Sequence, residues 1–226
     1  MLTSDHKVLS ENHASRQGDK YAIIIQDSFT KWLQAFPTKT KGHEEVIASF
    51  KRFMPPGMTP DHVYTDNSKE FIKAMQDLNW CHDTSTPYRP ETNGVVERAV
   101  RRVKEGTASA LFQSGFPEEW WDEAMTCYCF LHNVHDMLRD GLTAFEARFS
   151  DSFAGPIIPF GAQIEYKPAR EMDINRLHAF GKKTHTGLFI GYVQYAGGGW
   201  TGDVNIIDWQ EVEQAERKND IHIKRF

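Results

Sequence analysis

The sequence predicts an α/β domain followed by a small all-β unit. Strand-like and helical runs alternate through the first 150 residues, which is typical of sheets covered by helices. After Gly155 the helical spacing gives way to short strand-like runs separated by Gly and Pro. The 226 residues are 40% hydrophobic, so the chain can bury a real core.

The first elements are recognised by their apolar periodicity. The continuous apolar run at 21–25 predicts a buried strand, and the run at 32–36 predicts a second strand that ends at Pro37. Apolar side chains spaced three and four apart predict an amphipathic helix at 43–54. The next predicted elements are a strand at 62–65, a helix around 70–78, a strand at 80–86 and a long helix at 92–113.

Two more helices and a linker complete the order. Pro117 and the acidic residues after it open one helix, and Thr143 with Glu146 forms a capping box for another. Strands are predicted at 162–167, 187–195 and 203–212, with the glycines at 197–199 as a turn. We therefore divide the chain into a domain at residues 1–152 and a linker with a small β unit at residues 153–226.

Composition excludes several classes of protein. Cys81, Cys127 and Cys129 provide neither a disulfide framework nor a paired CxxC zinc site, which favours a reducing, intracellular setting. No apolar run approaches the length of a membrane span, and the first residues lack the pattern of a secretory signal. Because the net charge is −5, nucleic-acid binding would need local basic patches.

Two acidic residues stand where a sheet and a helix can bring them together. Asp66 ends the strand predicted at 62–65, and Glu97 lies in the first turns of the long helix. Phosphodiester chemistry uses clustered carboxylates that hold two divalent cations, and Mg²⁺ prefers oxygen ligands. Each residue taken alone is more often a turn residue or a solvated helix residue, so the pair needs support from its context.

That context is a resemblance. Residues 64–71 and 86–98 resemble the integrase catalytic core of retroviruses and long-terminal-repeat retrotransposons. Residues 143–149, 159–161, 178–183 and 187–193 resemble the Ty1/copia group, in which a small SH3-like unit follows the core. The resemblance implies an RNase H-like fold, a mixed sheet flanked by helices. It also implies a DNA integrase, a polynucleotidyl transferase that processes DNA 3′ ends and joins them to target DNA as part of a Pol polyprotein.

The resemblance implies a triad of two aspartates and one glutamate that binds Mg²⁺ or Mn²⁺, as two ions. Asp66 and Glu97 match its second and third acids. The first acid is Asp5 if residues 2–9 form a strand, and Asp27 is the alternative. Three residues are expected to support the site: Asn67 orients the Asp66 loop, and Tyr88 and Asn93 line the loop before Glu97.

The long helix also carries basic residues after Glu97. We predict that they contact DNA phosphates, the alternative being a solvated helix face balanced by Glu105. They are Arg98, Arg101, Arg102 and Lys104. The implied partners are the element's DNA ends, target DNA, further copies of the chain and the rest of a Pol polyprotein, without a membrane. Such a protein acts in the nucleus when it modifies host DNA.

The sequence departs from the family pattern in ways that keep other functions open. Thirty residues separate Asp66 from Glu97, fewer than usual, and Ser68 and Glu91 replace the usual Gly and Gln. A His/Cys zinc module is not recognisable. One alternative is therefore a catalytically inactive remnant or a domesticated binding module. Another is a ribonuclease H, for which Glu44 or Glu45 would supply a further acid.

Overall fold

The computed structural model describes residues 1–8, 13–85, 94–217 and 220–226. These residues form two sheets and seven α-helices. The strands are β1 (Leu2–Val8), β2 (Tyr21–Asp27), β3 (Leu33–Thr38), β4 (Val63–Thr65), β5 (His82–Thr84), β6 (Gln163–Tyr166), β7 (His185–Gln194), β8 (Trp200–Asp208) and β9 (Ile223–Arg225). The helices are α1 (His43–Phe53), α2 (Lys69–Leu78), α3 (Gly94–Ser114), α4 (Trp121–His135), α5 (Ala144–Phe149), α6 (Glu171–Ile174) and α7 (Trp209–Gln214).

The first sheet is mixed, in the order β3-β2-β1-β4-β5. β2 is antiparallel to both of its neighbours, β1 and β3, whereas β1, β4 and β5 are parallel. Parallel strands need a crossover, and the helices between the strands supply it. β1 therefore occupies the middle of the sheet, next to β4.

Alternation along β2 gives the sheet two buried faces. Ile23 and Ile25 pack in one apolar cluster, whereas Ala22 and Ile24 pack in another. α1 covers the first face through residues such as Val46 and Phe50. On the other face, α3 packs through Ala99 and Val103. The predicted mixed sheet flanked by helices is thus present.

α4 lies along the edge of the sheet and contributes to both clusters. Cys127 packs in the first cluster and Cys129 in the second, because residues two apart on a helix point to different sides. The buried Asn133 accepts a hydrogen bond from Leu33 N at 2.9 Å and donates one to Leu33 O at 2.7 Å. The amide thereby ties α4 to strand β3.

The C-terminal strands form a four-stranded antiparallel sheet in the order β6-β7-β8-β9. The predicted strand at 203–212 is wrong in its second half, because β8 ends at Asp208 and residues 209–214 are α7. The Asp208 carboxylate accepts a hydrogen bond from Gln210 N at 2.9 Å, which caps that helix. The short helix α6 was also not predicted. The SH3-like assignment of this sheet and the boundary after residue 152 stay predictions.

Within the described residues, no strand of one sheet pairs with a strand of the other, yet the two sheets share an apolar core. The ring of Tyr192 on β7 stacks on Phe130 of α4 at 4.4 Å between centroids. At the β7–β8 turn, Gly197 N donates to Arg52 O at 2.8 Å, and Arg148 Nε donates to Gly197 O at 3.0 Å. The C-terminal sheet is therefore docked on α1, α4 and α5. None of the described helices has the length and apolar composition needed to cross a membrane.

Candidate active site

Asp5 lies on the central strand β1, and Asp66 directly follows the neighbouring strand β4. β1 and β4 are parallel, with Ser4 opposite Thr65, and the two aspartates directly follow this pair. Asp5 also stands opposite Ile24, which packs in the cluster beneath α3. Because directly opposed residues share a face of the sheet, Asp5 is on the face that α3 covers.

Backbone N–H groups fix one oxygen of each aspartate. His6 N donates to Asp5 Oδ1 at 2.7 Å, and Ser68 N donates to Asp66 Oδ1 at 3.2 Å. The second bond closes an Asx turn between β4 and α2. Asn67, which was expected to orient this loop, lies exposed in the same turn. In the described part of the chain, no hydrogen bond reaches Oδ2 of either aspartate.

Burial and like charge act together on Asp5. Burial raises the pKa of Asp5 to about 6, and repulsion from Asp66 and, more weakly, from Glu97 acts in the same direction. The His6 N–H bond and the charge of Lys41 lower it in part. The carboxylates of the predicted triad therefore interact electrostatically, and a nearby cation would relieve their repulsion.

His6 sits behind Asp5 on the opposite face of β1. Its ring contacts Phe71 at 4.4 Å between centroids, and neither ring nitrogen has a partner among the described residues. Burial, with a smaller contribution from Lys41, lowers the pKa of His6 to about 4, so the ring is neutral at physiological pH. Neither Lys41 nor His6 was predicted from the sequence to influence the site. No sequence pattern indicates a role for Lys41, because the loop after β3 comes near Asp5 only when the strands assemble into the sheet.

Glu97 lies in the first turn of α3 and is exposed. The described residues contain no group of three His, Cys, Asp or Glu side chains placed to hold a metal ion. The donor set itself suits Mg²⁺ or Mn²⁺, which bind carboxylate oxygens. The residues thus fit the implied ions in ligand type and electrostatics, although the three carboxylates are not gathered into a cluster. Tyr88 and Asn93 lie outside the described residues.

Asp27, the alternative first acid, lies at one end of the β1–β2 pair, whereas Asp5 lies at its middle. It stands opposite Leu2, three residues along β1 from Asp5, or about 10 Å at the rise of a strand. Its carboxylate accepts hydrogen bonds from Phe29 N at 3.1 Å and Thr30 Oγ1 at 2.7 Å. The side chain of Asp27 therefore caps the β2–β3 turn.

The predicted DNA contacts on α3 are all exposed, but they fall on two sides of the helix. Lys104 lines a cavity of about 710 Å³ together with Lys7 of β1. Arg98, Arg101 and Arg102 line a different cavity, of about 560 Å³, between α3 and α4. The structure thus divides residues that the sequence presented as one patch.

Comparison with known proteins gives the relatives of this chain. No family model matches it. A segment of the Gag-Pol polyprotein of woolly monkey sarcoma virus is 28% identical over 145 residues, covering 61% of this chain and 8% of that protein. A segment of the retrovirus-related Pol polyprotein from transposon RE1 of Arabidopsis thaliana is 28% identical over 125 residues, covering 53% of this chain and 8% of that protein. The chain thus spans less than a tenth of the length of these relatives.

Among solved structures, the simian T-cell lymphotropic virus intasome in complex with PP2A regulatory subunit B56 gamma aligns with a TM-score of 0.54. The identity is 17%, and the alignment covers 100% of this chain and 74% of that one, which shows a shared fold. The fold class is RNase H-like, as predicted. The chain is a homologue of the integrase catalytic core of retroviral and retrotransposon Pol polyproteins, followed by a four-stranded C-terminal sheet. The predicted homology to the integrase catalytic core is confirmed.

Proposed function

We propose that this chain is a metal-dependent DNA strand transferase in which Asp5, Asp66 and Glu97 are the catalytic carboxylates. The observation that carries the proposal is that Asp5 on β1 and Asp66 just after β4 directly follow the same pair of opposed residues on two parallel strands. The repulsion that Asp5 receives from both other carboxylates supports it. Asp27 caps a turn and lies about 10 Å along the sheet from Asp5, so Asp5 is the better candidate for the first acid.

The residues of the chain would prepare the site for two Mg²⁺ or Mn²⁺ ions. Asp5 and Asp66 each have one oxygen held by a backbone N–H, which sets the orientation of the carboxylate before a ligand arrives. Glu97 would complete the set from the first turn of α3. When bound, such ions activate an attacking oxygen and stabilise a leaving oxygen.

Two successive displacements at phosphorus would follow. In the first, a water oxygen forms the new P–O bond, the P–O bond to the 3′ oxygen of the neighbouring nucleotide breaks, and that oxygen leaves as a hydroxyl. In the second, the 3′-hydroxyl of the processed end attacks a phosphodiester of target DNA and another 3′-hydroxyl leaves. The proposed partners are accordingly both DNA segments, further copies of this chain and the remainder of a Pol polyprotein, in the nucleus.

The second candidate is a binding module without catalysis. It is favoured by one observation, namely that the described carboxylates do not form a ready-made metal cluster. The exposed arginines of α3 would remain useful to such a module. Nucleic-acid binding without metal-dependent chemistry would identify it.

The test compares Glu97→Gln with Glu105→Gln. Both residues are exposed on α3, and both substitutions remove one negative charge. The full chain is incubated with a labelled DNA duplex and a supercoiled plasmid in Mn²⁺, and nicking and end joining are measured. We expect Glu97→Gln to lose at least about 100-fold in product, comparable to removal of other essential catalytic groups, and Glu105→Gln to retain it. Equal activity of the two variants would overturn the assignment, and cleavage of an RNA–DNA hybrid alone would identify a ribonuclease H.

A further inference from the structure

A cysteine, a histidine and an aspartate contact one another at the start of strands β4 and β5. Cys81 directly precedes β5 and is exposed, whereas Cys127 and Cys129 are buried. The Cys81 Sγ atom lies 3.4 Å from Nδ1 of His62, the residue directly before β4. The other ring nitrogen of His62, Nε2, lies 3.2 Å from Asp83 Oδ2. Cys81, His62 and Asp83, here called the thiol cluster, thus place a nucleophile, a base and a carboxylate that orients the base in succession.

The sheet fixes the positions of the two side chains that would react. β4 and β5 are parallel with Val63 opposite His82, so the residues that precede this pair, His62 and Cys81, also stand opposite each other. Cys81 O accepts a hydrogen bond from Val63 N at 2.9 Å, and His62 O accepts one from Leu2 N at 2.9 Å. The contact between sulfur and imidazole therefore follows from the register of the strands.

Asp83 decides which nitrogen of His62 carries the proton. A carboxylate 3.2 Å from Nε2 favours a proton on that nitrogen, which leaves Nδ1 of the neutral ring as an acceptor. Nδ1 can then take the proton of the Cys81 thiol. His82 follows Cys81 in the sequence, but its Nε2 bonds Thr65 Oγ1 at 2.9 Å. His62 is accordingly the base in contact with the sulfur.

The two buried cysteines do not compete for a reagent. Cys127 and Cys129 are 1% and 2% exposed, and burial raises the pKa of both thiols. The thiolate and not the thiol attacks, so thiols in such surroundings are inert. Reaction of the folded chain with a disulfide therefore reports on Cys81.

We propose that Cys81 is a modification site for small disulfides, with His62 as its base. The Cys81 thiol gives its proton to His62 Nδ1, and its sulfur forms a bond to one sulfur of the disulfide. The S–S bond of the reagent breaks, and the departing sulfur takes the proton from His62 and leaves as a thiol. One thiol and one disulfide thus give one mixed disulfide and one thiol, and no further oxidant is consumed. Asp83 is a positioning residue that acts through His62.

The thiol cluster is separate from the proposed catalytic carboxylates. His62 and Asp66 flank β4 at its two ends, four residues or about 13 Å apart at the rise of a strand. Disulfide exchange needs neither a metal ion nor a nucleic acid. The reaction can therefore be measured in EDTA without DNA, and its outcome is independent of the proposed strand transfer.

The experiment measures the rate at which the full chain reacts with 2,2′-dipyridyl disulfide, a neutral reagent whose released thiopyridone is followed by absorbance. We expect one rapid equivalent for the folded chain and three equivalents in urea, one for each cysteine. His62→Gln should lower the rapid rate about 10- to 100-fold, at or below the usual contribution of a positioned base, because a thiol is itself partly ionised at neutral pH. The matched control is His43→Gln, which breaks another His–Asp pair, 3.6 Å from Asp77, and should leave the rate unchanged. In urea, the parent and His62→Gln should react alike.

A second pair of variants tests the positioning role of Asp83. Its side chain is 73% exposed, so Asp83→Asn leaves the fold intact. Loss of a negative charge beside the sulfur favours the thiolate and by itself would raise the rate. We expect the rate to fall by about 3-fold or more, because the imidazole loses the group that fixes its tautomer. Asp83→Glu, which retains a carboxylate, should restore most of the rate.

Oxidised glutathione then serves as the second probe, and mass spectrometry of peptides locates the adduct. We expect a glutathione adduct at Cys81 that a reducing thiol removes, and much less of it in His62→Gln over the same time. Equal rates for His62→Gln and His43→Gln, a faster reaction of Asp83→Asn, or an adduct at either buried cysteine of the folded chain would overturn the proposal.

Discussion

The substitution Gly198→Ala, which adds one methyl group at the β7–β8 turn, should test how firmly the C-terminal sheet is docked on the core. Gly198 has φ of +89°, and a Cβ there would lie 2.6 Å from Cζ2 of Trp32. Trp32 is fully buried and cannot withdraw easily, because Arg148 lies 5.4 Å over its ring and Phe149 meets it edge-on. Gly198→Ala should therefore force the turn away from the core.

The expected loss in the free energy of unfolding has two parts. An L residue in the left-handed region costs about 1–2 kcal/mol. Overpacking against a fixed ring adds about 1–3 kcal/mol. For a chain of 226 residues, each kcal/mol corresponds to about 2–4 °C in Tm. Gly198→Ala should thus lower the free energy of unfolding by about 2–5 kcal/mol.

The matched control is Gly202→Ala. Gly202 also has positive φ, +96°, but no atom lies within 4 Å of its added Cβ. This variant should lose only the backbone part, about 1–2 kcal/mol. Urea unfolding followed by far-ultraviolet circular dichroism gives both values. The Trp32→Phe background, which makes room for the methyl group, should reduce the cost of Gly198→Ala, as a double-mutant cycle would show.

Equal losses for Gly198→Ala and Gly202→Ala would refute the reasoning. That result would mean that the turn does not press on Trp32 in solution and that the C-terminal sheet is free of the core. Two separate unfolding transitions in the parent protein would lead to the same conclusion, because a shared core predicts a common one.

Three further predictions concern buried polar groups. Burial, together with the neighbouring Glu123, raises the pKa of Asp122 to about 8. The stability that the protonated carboxyl contributes in acid is therefore lost as the pH rises from about 4 through 8. In urea unfolding, the free energy of unfolding of Asp122→Asn should exceed that of the parent by about 1–4 kcal/mol at pH 8 and by less at pH 5. Asp5→Asn removes one of the repelling carboxylates, so in EDTA near neutral pH it should gain about 1–3 kcal/mol, and Mg²⁺ should no longer raise its Tm. Asn133→Ala leaves both backbone groups of Leu33 unpaired and should cost about 2–5 kcal/mol by the same measurement; a loss below 1 kcal/mol would contradict the bonding described.

The parts of the site that follow from local pattern could be predicted from the sequence. Asp66 ends a short apolar strand and Glu97 begins a long amphipathic helix, so both positions were visible in the periodicity. Asp5 was not visible in this way. β1 has five consecutive polar residues between Leu2 and Val8 and buries Ser4 and His6, which no hydrophobic pattern indicates, so only the family resemblance predicted a strand there.

Other features depended on contacts between distant segments. The end of β8 at Asp208 reflects a carboxylate that caps α7 and at the same time pairs with Arg176 and Tyr166. Local β propensity continued past that point, and tertiary bonding overrode it. Lys41 likewise approaches Asp5 only because β3 and β1 belong to one sheet.

The division of α3 into two basic surfaces shows how the fold changes the meaning of a sequence pattern. Arg98, Arg101, Arg102 and Lys104 lie within seven residues, and in the sequence they form one cluster. Helical periodicity alone spreads them around the axis, but it does not say what stands on each side. The sheet supplies β1 with Asp5 on one side, and α4 supplies Tyr128 on the other. Pro159 and Phe160 also line the arginine cavity, so the segment that leads into the C-terminal sheet contributes to one of the two surfaces as well.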